Sequence, residues 1–407
     1  MAPKSPKDRR PLIARFHLYI LIEVLKLFSI ALVAATSLIM VGGVVQQLIA
    51  EGLGPLAILQ LMPYFLPLAL QFAVPATLLF AVCSVYGRMS ADNEILALKS
   101  IGLSPSRVMT PTLILAFLFS PLAVWTSDLA VSWGKPGINR VIMNSIEEIV
   151  YRVLRNHRSY STSKGFSIQV QDVQDRWLIQ PTITLHPENG QPMTISATKG
   201  QLKLDPQSEK LRIQLFDAEW DMGGQAMGSF PGVSEEEIPL NRATRKGGDQ
   251  NSPSQYALRD IGNQVNLQLI SMETHKDELA TMVGMDLMSG RFDRLDNPTS
   301  HHLLWQLGDG ERRLSKLRTE PWRRWAMGFS CFFFIWLGIP LAISMRSADY
   351  WTSFGACFLP ILLIYYPLFA LGLDRAKNGI WPPYSVWIGN LILFLFGLWL
   401  MRRVYRH

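Results

Sequence analysis

The chain has 407 residues, of which 49% are hydrophobic and only 17% charged, a charge fraction low for a water-soluble globular protein. The net charge of +7 is spread over the ends of apolar runs instead of forming one stripe, which argues against a nucleic-acid binder. Cys83, Cys331 and Cys357 all lie inside apolar runs, so a disulfide framework and a cysteine metal site are excluded.

Residues 1–132 read as a membrane half with three spans. The first long apolar run is of spanning length and lacks a small-residue cleavage site, so no cleavable leader is expected. Span one covers about 27–45, enough to cross a core of about 30 Å at about 1.5 Å per residue. Before it, 15–26 reads as an interfacial lead-in helix, in which Glu23 and Lys26 stand three apart and can pair. Span two, about 56–86, contains Pro63, Pro67 and Pro75, which are expected to bend it. Span three covers about 108–131.

Between spans two and three lies GRMSADNEILALKSIGLS, residues 87–104. Its pattern predicts a short amphipathic helix over 90–101. Ser90 is placed to cap it, with Asp92 and Glu94 in the first turn, and Gly102 is placed to end it. Ala91, Ile95 and Leu98 share an apolar face, while Asp92, Asn93 and Lys99 offer polar contacts.

Residues 133–320 are polar and read mainly as β. Phe166, Ile168 and Val170 alternate with polar residues, as do Ile183 and Leu185, Leu202 and Leu204, and Leu211, Ile213 and Leu215. Gly190, Gly200 and Pro206 read as punctuation, and 241–255 as a loop. Val265, Leu267 and Leu269 suggest one more strand; 272–289 and 299–318 read as helices returning to the membrane. Short strands with frequent turns predict a sandwich or jelly roll. Residues 321–407 then hold spans at about 325–343, 353–373 and 384–401. The expected fold is thus six transmembrane helices, three plus three, around an inserted all-β, jelly-roll-like domain.

Lys and Arg gather at 4–15, 88–107, 346 and 402–406, whereas the opposite short loops hold only Arg375 and Lys377. The positive-inside rule therefore places both termini in the cytoplasm and the insert in the periplasm of a bacterial inner membrane. Trp322, Trp325, Trp351, Trp381 and Trp387 fall near span ends, as interfacial aromatics do.

Chemistry is sparse. No Gly-Lys pair is followed by Ser or Thr, so a phosphate loop is absent. His301 and His302 are adjacent and face different directions on a helix, which makes them poor metal ligands. Glu235, Glu236 and Glu237 read as a solvated edge. No nucleophile–base or paired-carboxylate pattern stands out, so the expectation is a transport subunit and not an enzyme.

The phrase from Gly87 to Ile95, with Ala97-Leu98-Lys99 and Gly102-Leu103-Ser104, resembles the signature of the lipopolysaccharide-export permeases of the LptF/LptG type. Glu320, Arg323 and Arg324 before a span ending Gly338-Ile339-Pro340-Leu341-Ala342 support the resemblance, as do Tyr365-Tyr366, Asn378-Gly379, Trp387 and Asn390, Gly397 and Arg402-Arg403. Gly389 replaces the family's usual proline before that asparagine. The resemblance implies one permease of an ATP-driven lipid exporter, working with a second related permease, a cytoplasmic ABC ATPase dimer and a periplasmic lipid-bridge protein. It implies no cofactor on this chain, ATP and Mg belonging to the partner. Arg88, Asp92, Asn93, Glu94, Leu98 and Lys99 would form the ATPase contact, with Glu94 as its acidic centre. Spans one and five would wall a lipid cavity between the two permeases.

Family members often carry basic residues at the outer end of span one; here 44–51 has none. Arg318, Arg323, Arg324, Arg375 and Lys377 are instead the candidates for lipid head groups. The alternative reading is a non-transporting scaffold or mechanical transmitter whose periplasmic domain binds a partner.

Overall fold

Segments that cross hydrocarbon must satisfy their own backbone, which favours long apolar helices. A computed structural model describes residues 10–51, 55–161, 166–185, 193–205, 210–221, 227–239, 252–290, 298–345 and 349–406. Among them, six helical segments are long and apolar enough to span a membrane: Arg15–Gln46, Ala57–Ala91, Pro105–Ile142, Thr299–Met345, Trp351–Lys377 and Pro383–Arg403. The chain is a multi-pass membrane protein.

Helix α1 (Arg10–Glu51) runs unbroken, so the expected lead-in at 15–26 is simply its first part. Helix α2 (Pro55–Ala91) passes through Pro63, Pro67 and Pro75 without a break. A short α3 (Glu94–Ser100) and α4 (Pro105–Leu129) follow. A π turn at Ala130–Gly134 leads into α5 (Lys135–His157).

After the β insert come α6 (Leu258–Met288), α7 (Pro298–Met345) and α8 (Tyr350–Pro360). A second π turn, Ile361–Tyr365, joins α8 to α9 (Tyr366–Lys377), and α10 (Ile388–Arg406) completes the set. Asp349 caps α8, accepting the Thr352 amide at 2.9 Å, and its hydrogen bonds to Thr352 hold its carboxyl below the ordinary range.

The chain divides into two compact units. Met1–Ile39, Pro67–Ser132 and Pro253–His407 form one; Met40–Leu66 and Trp133–Ser252 form the other. In the first, Ile20, Leu78, Leu79, Val82, Met109 and Ile335 belong to one buried apolar cluster. The returning helices group here and not with the strands, unlike the 133–320 domain expected from sequence. Gly310 explains part of this: a Cβ there would stand 3.1 Å from Met272 Cγ, so α6 and α7 approach closely.

The strand expected at Val265, Leu267 and Leu269 is instead part of α6. Ile261 and Met272 are its buried positions, while Leu267 is exposed. The apolar alternation at 265–269 is thus incidental to a longer helix that packs at Ile261 and Met272.

Among the described residues of the second unit, nine antiparallel strands form one sheet. They are β1 (Ser159–Ser161), β2 (Phe166–Gln169), β3 (Asp172–Gln174), β4 (Trp177–Ile179), β5 (Thr182–Leu185), β6 (Met193–Ser196), β7 (Lys199–Asp205), β8 (Lys210–Asp221) and β9 (Met227–Pro239). The order is β1-β2-β5-β6-β8-β7-β4-β3, with β9 added to β8. The alternating runs at 166–170, 183–185, 202–204 and 211–215 therefore mark strands, as expected.

Three strand pairs in sequence, β2/β3, β4/β5 and β6/β7, are separated by two residues each, at 170–171, 180–181 and 197–198. These interruptions line up across the sheet: Gln180 N donates to Thr198 O at 3.1 Å, and Thr198 N to Phe216 O at 3.1 Å. Next to Phe216, Asp217 is a bulge with φ 53°, where β8 switches partner from β7 to β6. The sheet is therefore folded along one line into a half-barrel, as a jelly-roll-like insert requires.

Its interior holds Ile168, Leu178, Ile183, Leu202 and Ile213, together with Val150, Tyr151 and Leu154 from α5. Gly200, expected as punctuation, lies inside β7; a Cβ there would stand 3.1 Å from Leu215 Cδ2 and 3.2 Å from Pro181 Cγ. Glu235, Glu236 and Glu237 lie on β9, and the exposed Glu235 carboxylate accepts the Gln214 side-chain amide at 2.7 Å. Gly190, Pro206 and 241–251 lie outside the described residues.

Candidate functional site

A seven-residue helix is too short to persist on its own in water. Helix α3 must therefore be held by packing. Ile95 is buried and Leu98 packs on the same apolar cluster as the spans. Its exit is closed by two backbone bonds, Gly102 N to Lys99 O at 2.9 Å and Leu103 N to Leu98 O at 3.1 Å. With Gly102 at φ +83° this is a glycine-terminated Schellman end, as the sequence predicts.

The entry differs from the expectation. Residues Ser90 and Ala91 belong to α2, not to a helix over 90–101. Asn93 stands at the N-cap with φ 57°, without a side-chain cap bond. Asn tolerates this left-handed backbone better than most residues. The Ser90 hydroxyl instead donates to Ile343 O at 2.7 Å, near the end of α7. That carbonyl lies 253 residues away, so no local pattern could reveal it.

Arg88 also acts inward. Its guanidinium pairs with Glu23 of α1 at 2.5 Å. Glu23 thus meets Arg88 and not the Lys26 suggested by spacing. Of the six expected contact residues, Arg88 and Leu98 brace the segment from within. Asp92 and Asn93 are exposed, and Glu94 and Lys99 are half-buried. Two residues missed by sequence reasoning share the exposed side: Leu96 is 52% and Ile101 64% exposed. Their signal was an apolar residue off the packed face. Beside α3 a groove of about 500 Å³ is lined by Asn93, Lys99, Ile343, Ser344 and Arg403, among others.

The five basic candidates at the other end of the spans separate into two groups. Arg324 is fully buried, donating to Asp128 Oδ1 at 2.7 Å and to Tyr256 O at 2.5 Å. Arg323 holds the buried Glu320 carboxylate at 2.7 Å, and Lys377 stands 3.7 Å from the same group. Buried charges persist only when paired, and these pairs meet that need. Arg318 and Arg375 are exposed. Asp128 was not anticipated, although a carboxylate inside an apolar run is a signal in itself.

Residues 18–403 match the family model of the lipopolysaccharide export system permease LptF/LptG. The chain belongs to this permease family. No curated protein matches its sequence.

In the permease the six spans are unequally covered. Within their most apolar stretches, spans one and five have 17% and 28% of residues buried, against 39% to 67% for the other four. Ile30, Val33 and Leu38 of span one are 68% to 76% exposed, and Leu363 of span five is 64% exposed.

Proposed function

We propose that this permease is one half of an ATP-driven lipopolysaccharide exporter of the bacterial inner membrane. Its α3 segment docks in a cytoplasmic ABC ATPase dimer, which binds ATP and Mg. Closure of that dimer moves α3, and the movement is passed to the spans through Ser90 and Arg88. A second, related permease covers spans one and five, and the lipid rises between the two chains. The insert stands in the periplasm and passes the lipid to a bridge protein. Such a bridge is needed because each exposed methylene costs about 0.8 kcal/mol in water.

One observation carries the reading: α3 is clamped from within by Ile95 and Leu98, yet presents Asp92, Leu96 and Ile101 outward. A passive surface helix has no need of Ser90 and Arg88 tying its root to α7 and α1. The weak cover of spans one and five supports the paired arrangement.

The test is Glu94→Lys together with Leu96→Asp, each made singly in the full chain. Both should insert normally, lose the co-purifying ATPase and stop lipopolysaccharide transport. An intact complex with unimpaired transport in both variants would sink the coupling role.

A further inference from the structure

Two recesses meet at the segment between α9 and α10. The larger, about 890 Å³, is lined mainly by aromatic and aliphatic side chains, including Phe333 of α7, Trp381, Trp387 and Leu391. That volume lies in the range of about 300–1,000 Å³ typical of small-ligand sites. The smaller, about 510 Å³, is lined by Arg318, Asn266 and Trp322, among others. Tyr384 lines the first and Pro383 the second, and the Trp322 and Tyr384 rings meet between them at 6.3 Å.

Depth in the membrane separates the two chemically. Trp and Tyr settle at the level of lipid head groups. Trp381, Tyr384 and Trp387 therefore mark that level. Phe394, which also lines the larger recess, lies seven residues past Trp387 and so about 10 Å deeper at about 1.5 Å per residue. The slot thus faces acyl chains, and its mouth faces phosphates.

One cation lines that mouth, and a second residue, Arg375, is joined to its rim by the backbone. Arg318 lines the smaller recess. Arg375 is tied to the rim, its carbonyl accepting the Ile380 amide at 3.0 Å and the Trp381 amide at 3.2 Å. Among the described residues neither guanidinium has an acidic partner, whereas Arg323 and Arg324 are both paired. The neighbouring Asp374 carboxylate accepts the Asn378 amide at 3.2 Å.

We propose that this composite recess binds one anionic phospholipid from the leaflet on the insert's side of the membrane. One acyl chain fills the aromatic slot, and the phosphate sits between Arg318 and Arg375. The acyl slot lies on α7, α10 and the segment before α10, with Arg375 contributed by the last turn of span five, and the proposal does not depend on the export reading.

The test uses the full chain in detergent, offered phosphatidylglycerol and phosphatidylcholine of equal chain length, with retained lipid counted by native mass spectrometry. The wild-type chain should retain one phosphatidylglycerol in preference to phosphatidylcholine. Arg318→Gln and Arg375→Gln should each lower that preference about fivefold; both side chains are exposed, so folding is unaffected. Leu391→Trp, which fills the slot, should lower retention of both lipids. A phosphatidylglycerol carrying a photoreactive acyl chain should label peptides containing Phe333 or Leu391. Equal retention of the two lipids by the wild type, an unchanged preference in both arginine variants, or labelling confined to α1 and α9 would overturn the proposal.

Discussion

The Asp128 carboxylate oxygen that accepts Arg324 Nη1 at 2.7 Å also accepts the Leu258 backbone amide at 2.8 Å. One atom thereby joins the end of α4, the middle of α7 and the start of α6. Arg324 adds a bond from its other terminal nitrogen to Tyr256 O. The helix that returns from the insert is thus fastened to the spans through a buried arginine and a half-buried carboxylate.

Arg324→Met should be strongly destabilising, by about 3–5 kcal/mol, because it removes the charge partner of Asp128 and leaves the Tyr256 carbonyl without its guanidinium donor. Asp128→Asn keeps an oxygen for the Leu258 amide, so its effect should be smaller than that of Arg324→Met. Thermal melting of the full chain in detergent checks the ranking; equal losses would remove the bridging role from Asp128.

Helices α4 and α7 approach at Gly328, where a Cβ would stand 2.3 Å from Val124 Cγ2, 2.9 Å from Val124 N and 3.0 Å from Ser120 O. Two of those atoms are backbone and cannot rotate away. Gly328→Ala should therefore force the helices apart and cost about 1–3 kcal/mol. Gly355 of α8 is the control, since nothing lies within 4 Å of its Cβ position. Gly355→Ala should be neutral or stabilise by up to about 1 kcal/mol. Parallel melting curves of the two variants make the comparison.

Tyr151 serves the folded sheet from inside. Its hydroxyl donates to Arg176 O at 2.7 Å and accepts the Leu202 amide at 2.8 Å. Tyr151→Phe keeps the ring and strands the Leu202 amide, for a loss of about 1–3 kcal/mol. Hydrogen exchange in the peptide holding Leu202 should accelerate, while peptides from α4 and α7 stay unchanged.

Much of the fold was legible because its signals are local. An apolar run of spanning length reads the same alone as in the folded chain, and all six spans were found. Strands at 166–170 and 211–215 showed their alternation because one face is buried. At 265–269 the same cue misled, because three alternating apolar residues cannot by themselves tell a strand from a helix. Ser90 misled for a different reason. Ser-x-Asp-x-Glu is a sound capping pattern, but Ile343 O competes for the hydroxyl and wins in the folded state.

The family phrase at 87–104 was legible as residues, and Gly102 revealed its role through backbone geometry alone. The division of labour within the segment was not. Arg88 and Leu98 look as available as Asp92 until Glu23 and the packed spans are in place.

By itself the sequence determined the spans, the strand character of the insert and the family. Each rests on hydropathy, charge or chain pattern over a few neighbouring residues. Only the tertiary structure decided which arginines face outward. Arg318 and Arg324 are the same residue type six positions apart, yet Arg324 meets Asp128 from 196 residues away and Arg318 stays exposed. Burial makes a pairing partner obligatory for a charge, and that partner is supplied by the fold and not by the neighbouring sequence.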